Sequence, residues 1–205
     1  MNQRSTPDLG GLEALLAAAG NKPSPAVNSW NPPYCGDIGL RICRDGTWSY
    51  QNSPIGRMAL VKLFASVLRR DDDGKHYVVT PVEKIDVAVD DAPFLAVEMQ
   101  ITAQGPDQRL TFRTNVDDVV VAGAAHPIRF EREPGSGGLK PYILVRGRLE
   151  ALVNRALYYD LMDLLVRRNG DDGPLGLWSQ GQFFELPSEL PSEPPSEPHG
   201  EFNQA

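Results

Sequence analysis

Two cysteines, three histidines and no excess of basic residues remove several classes of protein at once. Cys35 and Cys43 cannot build a disulfide framework, and neither lies near a histidine in sequence. His199 falls in a polar tail, so His76 and His126 alone remain as donors, too few and too scattered to suggest zinc. The formal charge is −7. Glu189, Glu193, Glu197 and Glu201 sit in the last twenty residues, where there is no Lys or Arg, leaving twenty basic against twenty-three acidic side chains elsewhere. A body so close to neutral lacks the basic face that general nucleic-acid binding needs to displace counterions. No apolar run approaches the length of a membrane span. Leu12–Ala19 is apolar but short, contains Glu13 and follows Asp8, which makes a poor signal peptide. A reducing, soluble, cytoplasmic setting is expected.

Catalytic signatures are also missing. There is no Gly-x-Ser-x-Gly, since Trp178-Ser179-Gln180-Gly181 matches it only superficially, and there is no Walker loop or Gly-x-Gly-x-x-Gly. Asp71-Asp72-Asp73-Gly74 lacks the alternation of a calcium loop and reads as an exposed turn. Asp90-Asp91 and Asp117-Asp118 read as strand ends, and nothing singles out a pair of carboxylates for acid–base work. No catalytic residue, metal or cofactor is assigned, and a non-enzyme is expected.

With 41% hydrophobic and 23% charged residues, the composition is that of a globular protein. A chain of this length buries roughly 70% of its unfolded surface, enough for one large or two small cores. Four regions are expected: a flexible leader over 1–29, an α+β domain over 30–82, a strand-rich domain over 83–185, and a Pro/Ser/Glu tail over 186–205. The tail repeats Leu-Pro-Ser-Glu and has little to bury, which predicts disorder. Asp45-Gly46 marks a hairpin. A three-residue loop with Gly46 left-handed puts Leu40, Ile42, Trp48 and Tyr50 on one face, and that register is preferred because it buries a coherent set. Ser53-Pro54 reads as the start of a helix running to about Arg70, and Leu149–Arg168 as a second long helix.

The two helical stretches align without gaps at an offset of 98, from Ile55 and Val153, each followed by an Asp/Gly turn and a strand. This predicts a duplicated β-β-α-β motif. On a helical wheel Arg57 falls inside the apolar stripe, among Leu60, Val61, Phe64 and Leu68, and Arg155 matches it in the second copy. A guanidinium there leaves water only against an anion or several acceptors. One reading pairs each arginine with an internal carboxylate such as Glu83, Glu98 or Glu150, or has it snorkel to the surface. The other aims Arg57 at an anion such as phosphate in a groove between the repeats, where the planar fork of Arg is well suited. Arg113, Asn115 and Arg146 are candidate helpers, Glu83 a candidate carboxylate, and Trp48 a candidate base-stacking ring that equally reads as core.

Seven stretches together resemble a bacterial family, the domain of unknown function 1285. They are Pro33–Asp37, Asp45–Tyr50, Ser53–Arg57, Thr80–Lys84, Ala92-Pro93-Phe94, Phe112–Asn115 and Arg148–Leu152, and the resemblance spans Trp30 to Glu185. It implies a fold of repeated motifs in two domains. The second would be a curved antiparallel sheet with one long helix, superficially like a pleckstrin-homology domain. It further implies a nucleotide-like ligand held between the domains and a role in signalling, and it names no catalytic residue. Asn52 stands where the family is expected to have Gly, and Asn tolerates the left-handed backbone such a turn needs. The expected function is binding of a small anionic, nucleotide-like ligand between the domains. The alternatives are a protein-interaction adaptor without a small ligand, its partner unidentified, and a hydrolase or transferase using Glu83 or Asp117.

Overall fold

In the computed structural model the described residues are 25–133, 137–168, 170 and 172–187. The leader through residue 24 and the tail from residue 188 lie outside them, so the expectations placed there are not addressed. The described chain is α+β, with two helices and three sheets.

A 3₁₀ turn, Pro25–Ser29, leads into β1 (Tyr34–Ile42), β2 (Trp48–Tyr50) and β3 (Ser53–Pro54). The β1–β2 pairing sets Leu40 opposite Tyr50 and Ile42 opposite Trp48. This is the register that buries one coherent face, and Gly46 is left-handed, with φ +80°. Gln51 and Asn52, at φ +47° and +65°, form the next two-residue turn, so Asn does there what Gly does elsewhere.

Helix α1 covers Met58–Ser66 and is shorter than expected. Ser53 and Pro54 do not cap it. They pair with Tyr50 and Ser49 as a sheet edge, the one place in a sheet where proline's missing N–H costs nothing. After α1 come β4 (Leu68–Arg70), β5 (His76–Val79) and β6 (Lys84–Val89), and the sheet order is β3-β2-β1-β6-β5-β4. Strand β6 lies parallel to β1 in the middle of this sheet. Lys84–Val89 therefore belongs to the first half, although the sequence reading opens the second domain at 83.

The second sheet runs β10-β11-β12-β7-β8-β9. Its strands are β7 (Phe94–Thr102), β8 (Arg109–Thr114), β9 (Val119–Val121), β10 (Ile128–Arg132), β11 (Leu139–Arg146) and β12 (Leu149–Val153). It is not purely antiparallel, because β12 runs parallel to β7. Leu149–Val153, expected as helix, alternates buried and half-buried residues with period two, as a strand should. Helix α2 is confined to Arg155–Met162, capped by the Asn154 side chain, which accepts from Leu157 N at 2.9 Å.

Strands β13 (Val166–Arg167), β14 (Leu175–Ser179) and β15 (Gln182–Glu185) form the third sheet. The fully buried Ser179 ties it to the second, its Oγ accepting from Leu110 N and donating to Ala122 O. One continuous apolar core runs through both halves, with Trp48 stacked on Phe64 at 6.0 Å in the first and Phe94 and Phe112 at the centre of the second. Each such fully buried large side chain is worth about 1.5–3 kcal/mol relative to exposure.

Candidate functional site

Three contacts bolt the halves together, and several of the family-like segments meet at them. The β8–β9 turn, Asn115–Asp118, projects from the second sheet towards α1. Its Asp117 pairs with Lys62, and its Asp118 pairs with Arg146. Arg146 also donates to Ala65 O at 2.6 Å, at the C-terminal end of α1, where a cation suits the helix dipole. The guanidinium stands 4.9 Å from the centre of the Phe94 ring.

A second bolt is the tight approach of the β1–β2 loop. A Cβ on Gly46 would lie 2.8 Å from Asn115 Nδ2 and 3.0 Å from Leu95 Cδ1. Asn115 is held in turn by Leu95, whose N–H it accepts at 3.0 Å and whose carbonyl it donates to at 2.8 Å. The third bolt is Asp91, with only 7% of its side chain exposed. It accepts from Lys140 at 2.7 Å and Tyr142 at 2.6 Å on β11, with Arg44 of the first hairpin 3.8 Å away. Burial pushes its carboxyl upward, but the Lys140 and Tyr142 hydrogen bonds outweigh this and hold it below the usual carboxylate range.

Beside the first of these contacts, with Arg146 in its lining, lies a cavity of about 780 Å³. One wall is the 3₁₀ turn, β4 and the Asp71–Asp73 turn of the first half, and the other is Arg146–Leu149 of the second. Four arginines line it: Arg69, Arg70, Arg146 and Arg148. They are not equally available. Arg69 grips Asp71 with two hydrogen bonds, at 2.5 and 3.1 Å, and also donates to Val27 O and Trp30 O. Arg146 is committed as described. Arg70 donates from Nε to Gly74 O at 3.1 Å and is exposed. Arg148 meets Asp72 at 2.5 Å across the rim, with 58% and 93% of the two side chains exposed. Trp30 adds a half-buried aromatic surface. A smaller cavity of about 290 Å³, lined by Lys62, Val116, Asp117 and Asp118 among others, shares Ser66 and Arg146 with the first. Arg146 is thus the waist of one groove.

Of the six residues the sequence singles out, Arg146 alone lines the large cavity. Arg113 pairs with Glu98 and Asp117 beside a separate shallow groove on the second sheet. Asn115 is a structural clasp. Trp48 is 1% exposed in the core, its Nε1 buried without an acceptor among the described residues. Glu83 closes a turn in which Thr80 Oγ1 accepts from its N–H at 3.0 Å. Arg57 is exposed and precedes α1, at φ −85° and ψ 99°. The wheel that put it among apolar residues does not apply to a residue outside the helix. Arg155 is likewise exposed, at the first residue of α2. Arg69, Arg70 and Arg148 were missed because the groove joins two turns distant in sequence, which periodicity cannot register. Among the described residues no group of three His, Cys, Asp or Glu is placed to hold a metal ion, and no helix is long and apolar enough to cross a membrane.

Fold and groove together define a three-sheet α+β protein with an arginine-lined cleft between its halves. The chain belongs to the DUF1285 family: the model of the N-terminal domain of unknown function matches residues 25–92, and that of the C-terminal domain, from a protein of unknown function, matches 93–186. It is similar to the crystal structure of a DUF1285 family protein from Silicibacter pomeroyi DSS-3, with 50% identity and a TM-score of 0.76 over 84% of this chain and 93% of that one. A DUF1285 family protein from Shewanella baltica OS155 matches at 27% identity and a TM-score of 0.48, over 62% of this chain and 91% of that one. No curated protein matches.

Proposed function

We propose that the protein binds a small anionic, nucleotide-like ligand in the groove between its two halves, and that it serves a regulatory role in the cytoplasm without turnover. The observation that carries this reading is the pairing of a 780 Å³ cavity with arginines contributed by both walls. Its volume lies within the range of small-molecule sites. Arg70 and Arg148 are the cations that contact the anion, Trp30 offers a face for a base, and Arg146 holds the walls in place. Arginine's planar fork can hold two oxygens of a phosphate at once.

A duplicated origin fits the same reading. At an offset of 98, α1 and α2 are each followed by a hairpin of equal register: Leu68 opposite Val78 corresponds to Val166 opposite Gly176, and Arg69 opposite Tyr77 to Arg167 opposite Leu175. The adaptor alternative, on a pleckstrin-like second sheet, is favoured by Val119, 62% exposed on the edge strand β9.

A thermal-shift screen of nucleotides and phosphorylated metabolites tests the ligand reading. A ligand at a hundred times its Kd stabilises by about 2.7 kcal/mol, which raises Tm by roughly 5–10 °C for a chain of this size. Arg70→Ala should remove most of the shift. A flat response across a broad panel would reject the reading.

A further inference from the structure

Resting on the ligand reading above, we infer that Asp72 is an internal competitor for the ligand's anionic group, a carboxylate that occupies Arg148 and lowers the groove's affinity. Three aspartates stand in the turn after β4, and two of them are spoken for. Asp71 is bound by Arg69 and by Lys84 at 2.6 Å, with 20% of its side chain exposed. Asp73 accepts from Tyr77 Oη at 2.5 Å and from Lys75 N at 2.9 Å. Asp72 has Arg148 as its ion-pair partner, and Arg148 has Asp72.

The pair differs from its neighbours in two respects. It reaches from the first half's turn to the second half's β11–β12 turn, so it crosses the groove at its rim. It is also the most solvated of the ion pairs that line the groove, at 58% and 93% exposure, against 14% and 20% for Arg69–Asp71 and 23% on both sides for Arg146–Asp118. An ion pair in water is weak, since screening and side-chain entropy offset most of its attraction, and its loss changes an equilibrium by a factor of about five at most. A phosphate oxyanion gains two parallel hydrogen bonds from the same guanidinium. It therefore displaces Asp72 at small cost, while the buried pairs that hold the walls stay closed. Asp72 thus lowers the affinity of any anion that uses Arg148 by up to that factor.

Calorimetric titration of the full chain with ADP and with inorganic pyrophosphate, at low ionic strength, tests this in wild type, Asp72→Asn, Arg148→Gln and the double variant. Both positions are exposed, so folding is preserved, and circular dichroism checks it. Asp72→Asn should bind about two- to five-fold tighter than wild type. Arg148→Gln should bind about ten-fold or more weaker, and adding Asp72→Asn to it should restore nothing. Wild-type binding that Asp72→Asn leaves unchanged or weakens overturns the competitor role and leaves the ligand reading standing. So does a gain that persists in the double variant, because it would then be a general charge effect. Absence of binding to every form overturns both.

Discussion

Replacing Arg146 by Met keeps the volume and the apolar stem while deleting the charge that joins the two halves. The lost interactions are a charge-assisted hydrogen bond to Asp118, another to Ala65 O at 2.6 Å, and the contact with the Phe94 ring. Hydrogen bonds to charged groups contribute about 1.5–3 kcal/mol each. Because 23% of both Arg146 and Asp118 side chains is exposed, Asp118 regains water when its partner is removed, and values near the lower end apply. Methionine recovers part of the packing against Phe94. The net destabilisation expected is about 2–3 kcal/mol, or a fall in Tm of roughly 4–12 °C. Urea denaturation of wild type, Arg146→Met, Asp118→Asn and the double variant measures it, and the cycle should return a coupling of about 1–2 kcal/mol. An Arg146→Met protein within 0.5 kcal/mol of wild type would refute the assignment of Arg146 as the bolt between the sheets.

Gly46→Ala forces a Cβ into a left-handed position and against Asn115 Nδ2, and should cost about 2–3 kcal/mol by thermal denaturation. Adding Asn115→Ala should cost less than the separate losses predict, since the collision is then gone. Burial, and after it the charge of Arg70, depresses His76 to about 4. The imidazole is therefore neutral in the folded state while the unfolded chain titrates near 6.5. Its contribution to stability is complete above about pH 6.5 and is lost as pH falls from there through 4. An NMR titration of the His76 ring should show that low value, and an anion bound at Arg70 should move it upward. A ring titrating near 6.5 in the free protein would contradict its burial beside Arg70.

Local signals read well where a single choice buries a coherent set. The β1–β2 register follows from Leu40, Ile42 and Trp48 because only one loop length puts them together, and Asn52 follows from the backbone its turn requires. The helix ends do not follow. Pro54 is as acceptable on a sheet edge as at a helix start, and Leu149–Val153 is apolar enough for either element until β7 and β11 take it as a strand. Arg57 was misplaced by extending helical phase past the true start at Met58. A groove was expected but its lining residues were not, since Arg70 and Arg148 come to line one cavity only in the folded chain.

Those two parallel insertions bear on biosynthesis. Tyr34–Ile42 gains its central neighbour only once Lys84–Val89 has emerged from the ribosome, and Phe94–Thr102 must wait for Leu149–Val153. Each half is therefore translated with a bare flank on its middle strand, open to mispairing until a late segment arrives. A nascent chain of this kind gains from chaperone shelter during elongation.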